Sequence, residues 1–210
     1  MEPPQVPPDS RSLRRKVARE AAFLIYTSQE KEYKQAKIRA AKILGARTLP
    51  SNREVAEELD AIAAELEGQS RLERLLSLRR SALEIMRCLE FYNPRLIGSV
   101  WRGTAHRNSD IDIVVFSSSP KKVLKKLRDE GFKVTKTEEV MITKKGNKES
   151  SLHIFVSLPI NCEAEIIVRN PEEEERTEIC EIYGDIIKGL NPDQLEDILE
   201  KDPYKKFIPE

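Results

Sequence analysis

The chain has 210 residues, 39% hydrophobic and 34% charged, and its 36 basic and 36 acidic side chains balance to a formal net charge of zero. That length supports one good core or two modest domains, and the balance excludes a uniformly polycationic nucleic-acid binder. No apolar run approaches the roughly 18 residues of a membrane span, and the start Met1–Ser10 is proline-rich and polar, unlike a signal sequence, so a cytoplasmic protein without membrane partners is expected.

In chain order, residues 1–10 read as a flexible leader and residues 11–94 as a helical region. Val17, Ala21, Phe23, Leu24 and Tyr26 fall at helical spacing, and Gly45 and Pro50 close that segment. Ser51-Asn52-Arg53-Glu54 is a capping-box signature that predicts a helix from about Asn52. The apolar positions continue through Leu59, Ile62 and Leu66, break near Gly68-Gln69-Ser70, and resume through Leu72, Leu75, Leu78 and Ile85 until Asn93-Pro94.

After Pro94 the periodicity changes to short β-like runs. Strands are expected at about 95–99 and 110–117, and a basic amphipathic helix from Pro120 to Glu130. Further strands follow at about 132–144, 151–158 and 161–168, the first two joined through Lys144-Lys145-Gly146-Asn147. Residues 171–210 are expected to hold an acidic helix from Pro171 and a short one from Asn191. The fold class is α+β with a mixed β-sheet, preceded by the helical region.

Charge is uneven along the chain. Residues 1–50 carry eleven basic side chains against five acids, whereas residues 161–210 carry six against fifteen. The basic end either lies near nucleic acid or pairs with the acidic end. Cys88, Cys162 and Cys180 are odd in number and lack metal or disulfide spacing, so they read as buried thiols. His106 and His153 stand singly without ligand spacing and receive no catalytic role. Trp101 is more simply a core residue than a base-stacking one.

The chemistry concentrates between residues 98 and 116. Asp110-Ile111-Asp112 places two carboxylates on one face of a strand, because side chains alternate, while Ile113, Val115 and their neighbours continue into the core. The Gly98-Ser99 turn upstream can approach phosphate. Two hard oxygen ligands beside such a turn suit a divalent metal holding a nucleoside triphosphate. A third carboxylate is sought on a neighbouring strand of the same pattern, and Glu163-Ala164-Glu165-Ile166-Ile167-Val168 supplies it. Glu163 and Glu165 share a face, and Glu165 is preferred because the apolar run follows it directly.

The stretch Ile97-Gly98-Ser99-Val100-Trp101-Arg102-Gly103-Thr104, continued through Ala105-His106-Arg107-Asn108-Ser109 to Asp110-Ile111-Asp112, resembles the signature of the DNA polymerase β nucleotidyltransferase superfamily. It is similar both to the minimal nucleotidyltransferases and to the catalytic head of archaeal CCA-adding enzymes. The resemblance implies a polymerase-β-like catalytic domain over residues 95–170 that transfers a nucleoside monophosphate from a nucleoside triphosphate, by default ATP, and releases pyrophosphate. It implies that Gly98 and Ser99 hold the terminal phosphates and that Arg102 and, more weakly, Arg107 meet the triphosphate. It further implies that Asp110, Asp112 and Glu165 bind two magnesium or manganese ions, Glu165 also helping to deprotonate the acceptor hydroxyl. Glutamate stands where the family usually has aspartate, and a hairpin lengthens the gap before it. The acceptor is open among an RNA end, a protein side chain and a small molecule, and the oligomeric state is not readable. A different class of reading is a catalytically silent nucleotide-binding regulator or scaffold whose helices bind a partner.

Overall fold

The computed structural model describes residues 10–144, 147–159 and 162–209. Most of the leader and the Lys145-Gly146 part of the hairpin turn lie outside the described residues. The chain divides into two compact units: residues up to Gly68 together with Glu181–Gly184, and Gln69–Cys180 together with the segment from Asp185 onward. The first division between these units falls at Gly68.

The first unit holds α1 (Ser10–Tyr26), α2 (Tyr33–Ile43) and α3 (Asn52–Glu67), with α1 packed on both others. Its core is rich in alanine: Ala18, Ala21, Ala22, Ala36, Ala40 and Ala63 let the helices approach closely around Val17, Val55, Leu59 and Ile62. The capping box forms as expected, with Ser51 accepting from the Glu54 amide while the Glu54 carboxylate accepts from the Ser51 amide. Arg14 pairs with Glu54, Arg15 and Arg19 with Glu58, and Arg19 also with Glu65. Part of the N-terminal positive charge is thus matched by acids of α3, a third outcome beside the two expected.

The second unit opens with α4 (Gln69–Cys88), followed by a 3-10 turn (Glu90–Tyr92), β1 (Arg95–Ile97) and the five-residue α5 (Gly98–Arg102). Then come β2 (Ile111–Phe116), α6 (Pro120–Asp129), β3 (Lys133–Lys144), β4 (Asn147–Leu158), β5 (Cys162–Arg169) and α7 (Pro192–Lys201). The acidic helix expected at Pro171 is only a 3-10 turn, Pro171–Glu173, so among the described residues the C-terminal part holds one α-helix.

The sheet order is β1-β2-β5-β4-β3. β2 and β5 are parallel, with α6 and the β3–β4 hairpin forming the crossover, and the other neighbours are antiparallel. Strand alternation sends Ile111, Ile113 and Val115 of β2, Ala164, Ile166 and Val168 of β5, and Ile154 and Val156 of β4 to one buried face. There they join Leu75, Leu78, Ile85 and Met86 of α4 and Val123 and Leu127 of α6 in one cluster. The alternate residues of β2, β5 and β4 stand on the opposite face, where the chemistry lies. Lys125 and Lys126 of α6 pair with Asp129 and Glu130 one turn on, as expected for a solvated helix face.

Candidate active site

The chain leaves β1 through Gly98, whose φ of +69° is open to glycine and strained for other residues. Gly98 also lies against Asp112, which pairs with Ile97 across the antiparallel ladder. A Cβ built on Gly98 would fall into the Asp112 carboxylate, with Cγ 2.9 Å away. Glycine is needed here twice, for the turn and for the closeness of backbone to carboxylate. Ser99 follows in the first turn of α5. The loop before Asp110 is closed on itself, since the His106 amide donates to Ser109 Oγ (3.0 Å) and the Asn108 amide to His106 Nδ1 (3.2 Å).

The parallel register sets Asp112 directly beside Glu165, and Ile111 beside Ala164. Asp110, one residue before the strand, takes a backbone hydrogen bond from Glu163. Four carboxylates therefore form two rungs, Asp110 with Glu163 and Asp112 with Glu165. Burial, then Glu165 and Asp110, pushes the Asp112 carboxyl up to about 7. Partial loss of water, together with Glu163 and Glu165, raises Asp110 as well. Among the described residues, no group of three or more His, Cys, Asp or Glu side chains is already closed to the geometry of a bound ion. The donor set nevertheless fits a hard divalent cation: it is all carboxylate oxygen, and its mutual repulsion is what a cation relieves.

The two glutamates differ in their other partners. Glu163 Oε2 accepts from Thr135 Oγ1 at 3.1 Å. Glu165 Oε1 lies 2.5 Å from His153 Nδ1, and His153 Nε2 lies 2.9 Å from Ser151 Oγ. His153, given no role on sequence grounds, is thus attached to the preferred third carboxylate. Nothing local could have shown it, because twelve positions separate the two residues and only the β4–β5 register joins them.

A family model for a nucleotidyltransferase domain matches residues 92–208, more than half of the chain and the whole of the sheet just described. The chain belongs to the nucleotidyltransferase domain family. The nucleotidyltransferase resemblance of the Gly-Ser and Asp-Ile-Asp stretch is borne out. Among solved structures, the chain is similar to Cid1, an RNA terminal uridylyl transferase, at 18% identity over 54% of this chain and 36% of that one, with a TM-score of 0.34. It is similar to a cytoplasmic RNA terminal U-transferase at 18% identity over 54% and 37%, TM-score 0.34. A MgATP-bound form of the Cid1 poly(U) polymerase matches at 19% over 54% and 38%, TM-score 0.33. The chain spans little more than a third of the length of these structures. No curated protein matches.

Within this nucleotidyltransferase domain the arginines depart from expectation. Arg102 is buried and turned to Asp185, with Nη2–Oδ1 2.7 Å and Nη1–Oδ2 3.1 Å, and it also donates to the Phe207 carbonyl at 2.8 Å. Its guanidinium lies 4.4 Å from the Trp101 ring centroid, and Trp101 stacks on Phe207, which confirms the core reading of the tryptophan. Arg102 therefore latches the C-terminal segment to the turn and is not presented to a phosphate. Arg107 is exposed in the loop before Asp110.

Three arginines on one side of α4 go unread in the sequence. Arg71 donates to the Thr104 and Ala105 carbonyls, and fully buried Arg79 to those of Val100, Trp101, Pro203 and Lys205. They lie eight residues apart, slightly over two helical turns, so both reach the same loop. Burial lowers Arg79 to about 10, which leaves it charged near neutrality. Arg74, between them, has its Nε buried without a hydrogen-bond partner, and its charge opposes the upward shift of Asp110.

Proposed function

We propose that this chain is a metal-dependent nucleotidyltransferase that moves a nucleoside monophosphate from a nucleoside triphosphate, ATP by default, to an acceptor hydroxyl and releases pyrophosphate. The observation that carries the reading is the adjacency of Asp112 to both Glu165 and Gly98: a carboxylate pair shared by two parallel strands, roofed by a turn that only glycine can make.

Asp110, Asp112 and Glu165 hold the divalent cations, magnesium or manganese, two in number. When bound, these neutralise the triphosphate and stabilise the leaving pyrophosphate. The Gly98 backbone and the Ser99 hydroxyl contact the terminal phosphates. Arg74, whose charge acts on Asp110, and exposed Arg107 supply positive charge toward the triphosphate, while Arg102 holds the turn that carries Gly98 and Ser99. Glu165 accepts the proton of the acceptor hydroxyl as its oxygen forms the new bond to the α-phosphorus, and the bond to the pyrophosphate oxygen breaks in line. The acceptor is an RNA end, a protein side chain or a small hydroxylated molecule.

The test offers each of the four α-labelled nucleoside triphosphates, with magnesium or manganese, to RNA, protein and metabolite fractions of a cell extract. An Asp110→Ala/Asp112→Ala protein serves as control. Label in one fraction that is lost in the control is the expected result and names the acceptor class. Metal-dependent triphosphate binding without label in any fraction would replace the enzyme with a nucleotide-binding regulator.

A further inference from the structure

Glu165 carries one methylene more than the aspartate usual at the third position, and so one more rotatable bond with which to miss a cation. The structure shows what restrains it. His153 lies on β4 beside Ile167, and its neighbour two residues on, Phe155, lies beside Glu165, so alternation brings the His153 ring and the Glu165 carboxylate to one face. Both are largely shielded, with side-chain exposures of 17% and 26%.

A carboxylate only accepts, so the 2.5 Å contact requires the proton on His153 Nδ1. Ser151 Oγ, at 2.9 Å from Nε2, donates to that nitrogen when the ring is neutral and accepts from it when the ring is charged. Either state leaves Nδ1–H on Glu165. Glu138, opposite His153 on β3, is ion-paired with Lys136.

We propose that His153 is a positioning residue for the third carboxylate. It ties down Oε1 of Glu165 and leaves Oε2 for the cation, while Ser151 fixes the ring. The same device, a second ring or carboxylate partner behind a ligand, commonly alters metal affinity by 10- to 100-fold when removed. The inference rests on the reading of Glu165 as a metal-binding carboxylate.

The test measures binding of Mn2+ alone to the full chain by electron paramagnetic resonance. His153→Ala is expected to weaken binding by about 10-fold or more. His153→Asn, whose amide N–H can stand where Nδ1–H does, recovers most of the loss. Glu165→Gln weakens binding at least as much, and His153→Ala adds nothing on top of it, because the ring acts through that carboxylate. If Glu165→Gln weakens binding and His153→Ala does not, the inference falls and the reading of Glu165 stands. If the unaltered protein binds no Mn2+, or Glu165→Gln leaves binding unchanged, the reading falls and the inference with it. A variant that does not fold is bypassed by nitrogen NMR of the unaltered protein, where a His153 ring protonated only at Nε2 overturns the proposal.

Discussion

At the scale of single residues, the site is a compromise between crowding and charge. Gly98 and Asp112 occupy space that would be shared by a Cβ. Gly98→Ala is expected to lower stability by about 2 kcal/mol or more, from left-handed strain plus the overlap, and to abolish triphosphate binding. Gly131→Ala is the comparison: its φ is +83° but nothing lies within 4 Å of the added Cβ, so only the conformational cost, about 1 kcal/mol, should appear in denaturant unfolding. Asp112 makes a second prediction. Its carboxyl is raised from 3.8 to about 7, so the folded protein holds a proton that the unfolded chain has released. Stability of the metal-free protein should therefore be highest below about pH 4 as far as this group is concerned, and fall as pH rises towards 7. Asp112→Asn should remove that loss and stabilise the metal-free protein at pH 8 by about 2 kcal/mol or more. Adding Mn2+ should stabilise the unaltered protein and leave the variant unmoved.

At the scale of elements, α4 supports the site from beneath. Four carbonyls depend on the Arg79 guanidinium, and two on Arg71. Arg79→Ala should cost about 3 kcal/mol or more, since buried acceptors are left without donors, and Arg71→Ala a smaller amount; chemical denaturation separates the two. In the first unit, Ser51→Ala should cost about 1 kcal/mol through the lost cap. Periodicity read in the sequence located β2, α6, β5 and the start of α3 to within a residue or two, because each is delimited by local signals: the Asp-Ile-Asp opening, Pro120 and Gly131, and the capping box. The carboxylate pair and Gly98 were legible for the same reason. The arginines of α4 were not. Charged side chains at helical spacing read as a solvent face until the loop they grip is folded over them. The inward turn of Arg102 was not legible because its partner, Asp185, stands 83 residues away. The run Glu172–Glu175 after Pro171 suggested a helix start, because acids suit a first turn, yet the segment forms only the 3-10 turn Pro171–Glu173.

At the scale of the whole molecule, zero net charge conceals local matching. Arg14, Arg15 and Arg19 of α1 face Glu54, Glu58 and Glu65 of α3. Arg14 and the capping hydrogen bonds lower the Glu54 carboxyl to about 2, so its contribution is present above the ordinary glutamate range and is lost as pH falls towards 2. Replacing the three arginines by glutamine should lower the thermal midpoint at low salt and have little effect at 1 M salt, where exposed pairs are screened. No helix among the described residues is long and apolar enough to cross a membrane. The break at Gly68-Gln69-Ser70 is legible in the sequence as an interruption of the apolar pattern, but not as a boundary between units, because α4 resumes the amphipathic pattern of α3. Only packing on the sheet assigns α4 to the second unit. The proposed function requires that the carboxylates of β2 and β5 form one cation site beneath the Gly98 turn. Anomalous diffraction from crystals of the protein grown with MnCl2 and a non-hydrolysable ATP analogue tests it most directly. Manganese is expected between Asp110, Asp112 and Glu165 with the phosphates against Gly98 and Ser99; manganese bound elsewhere, or nucleotide bound away from these carboxylates, would overturn the assignment.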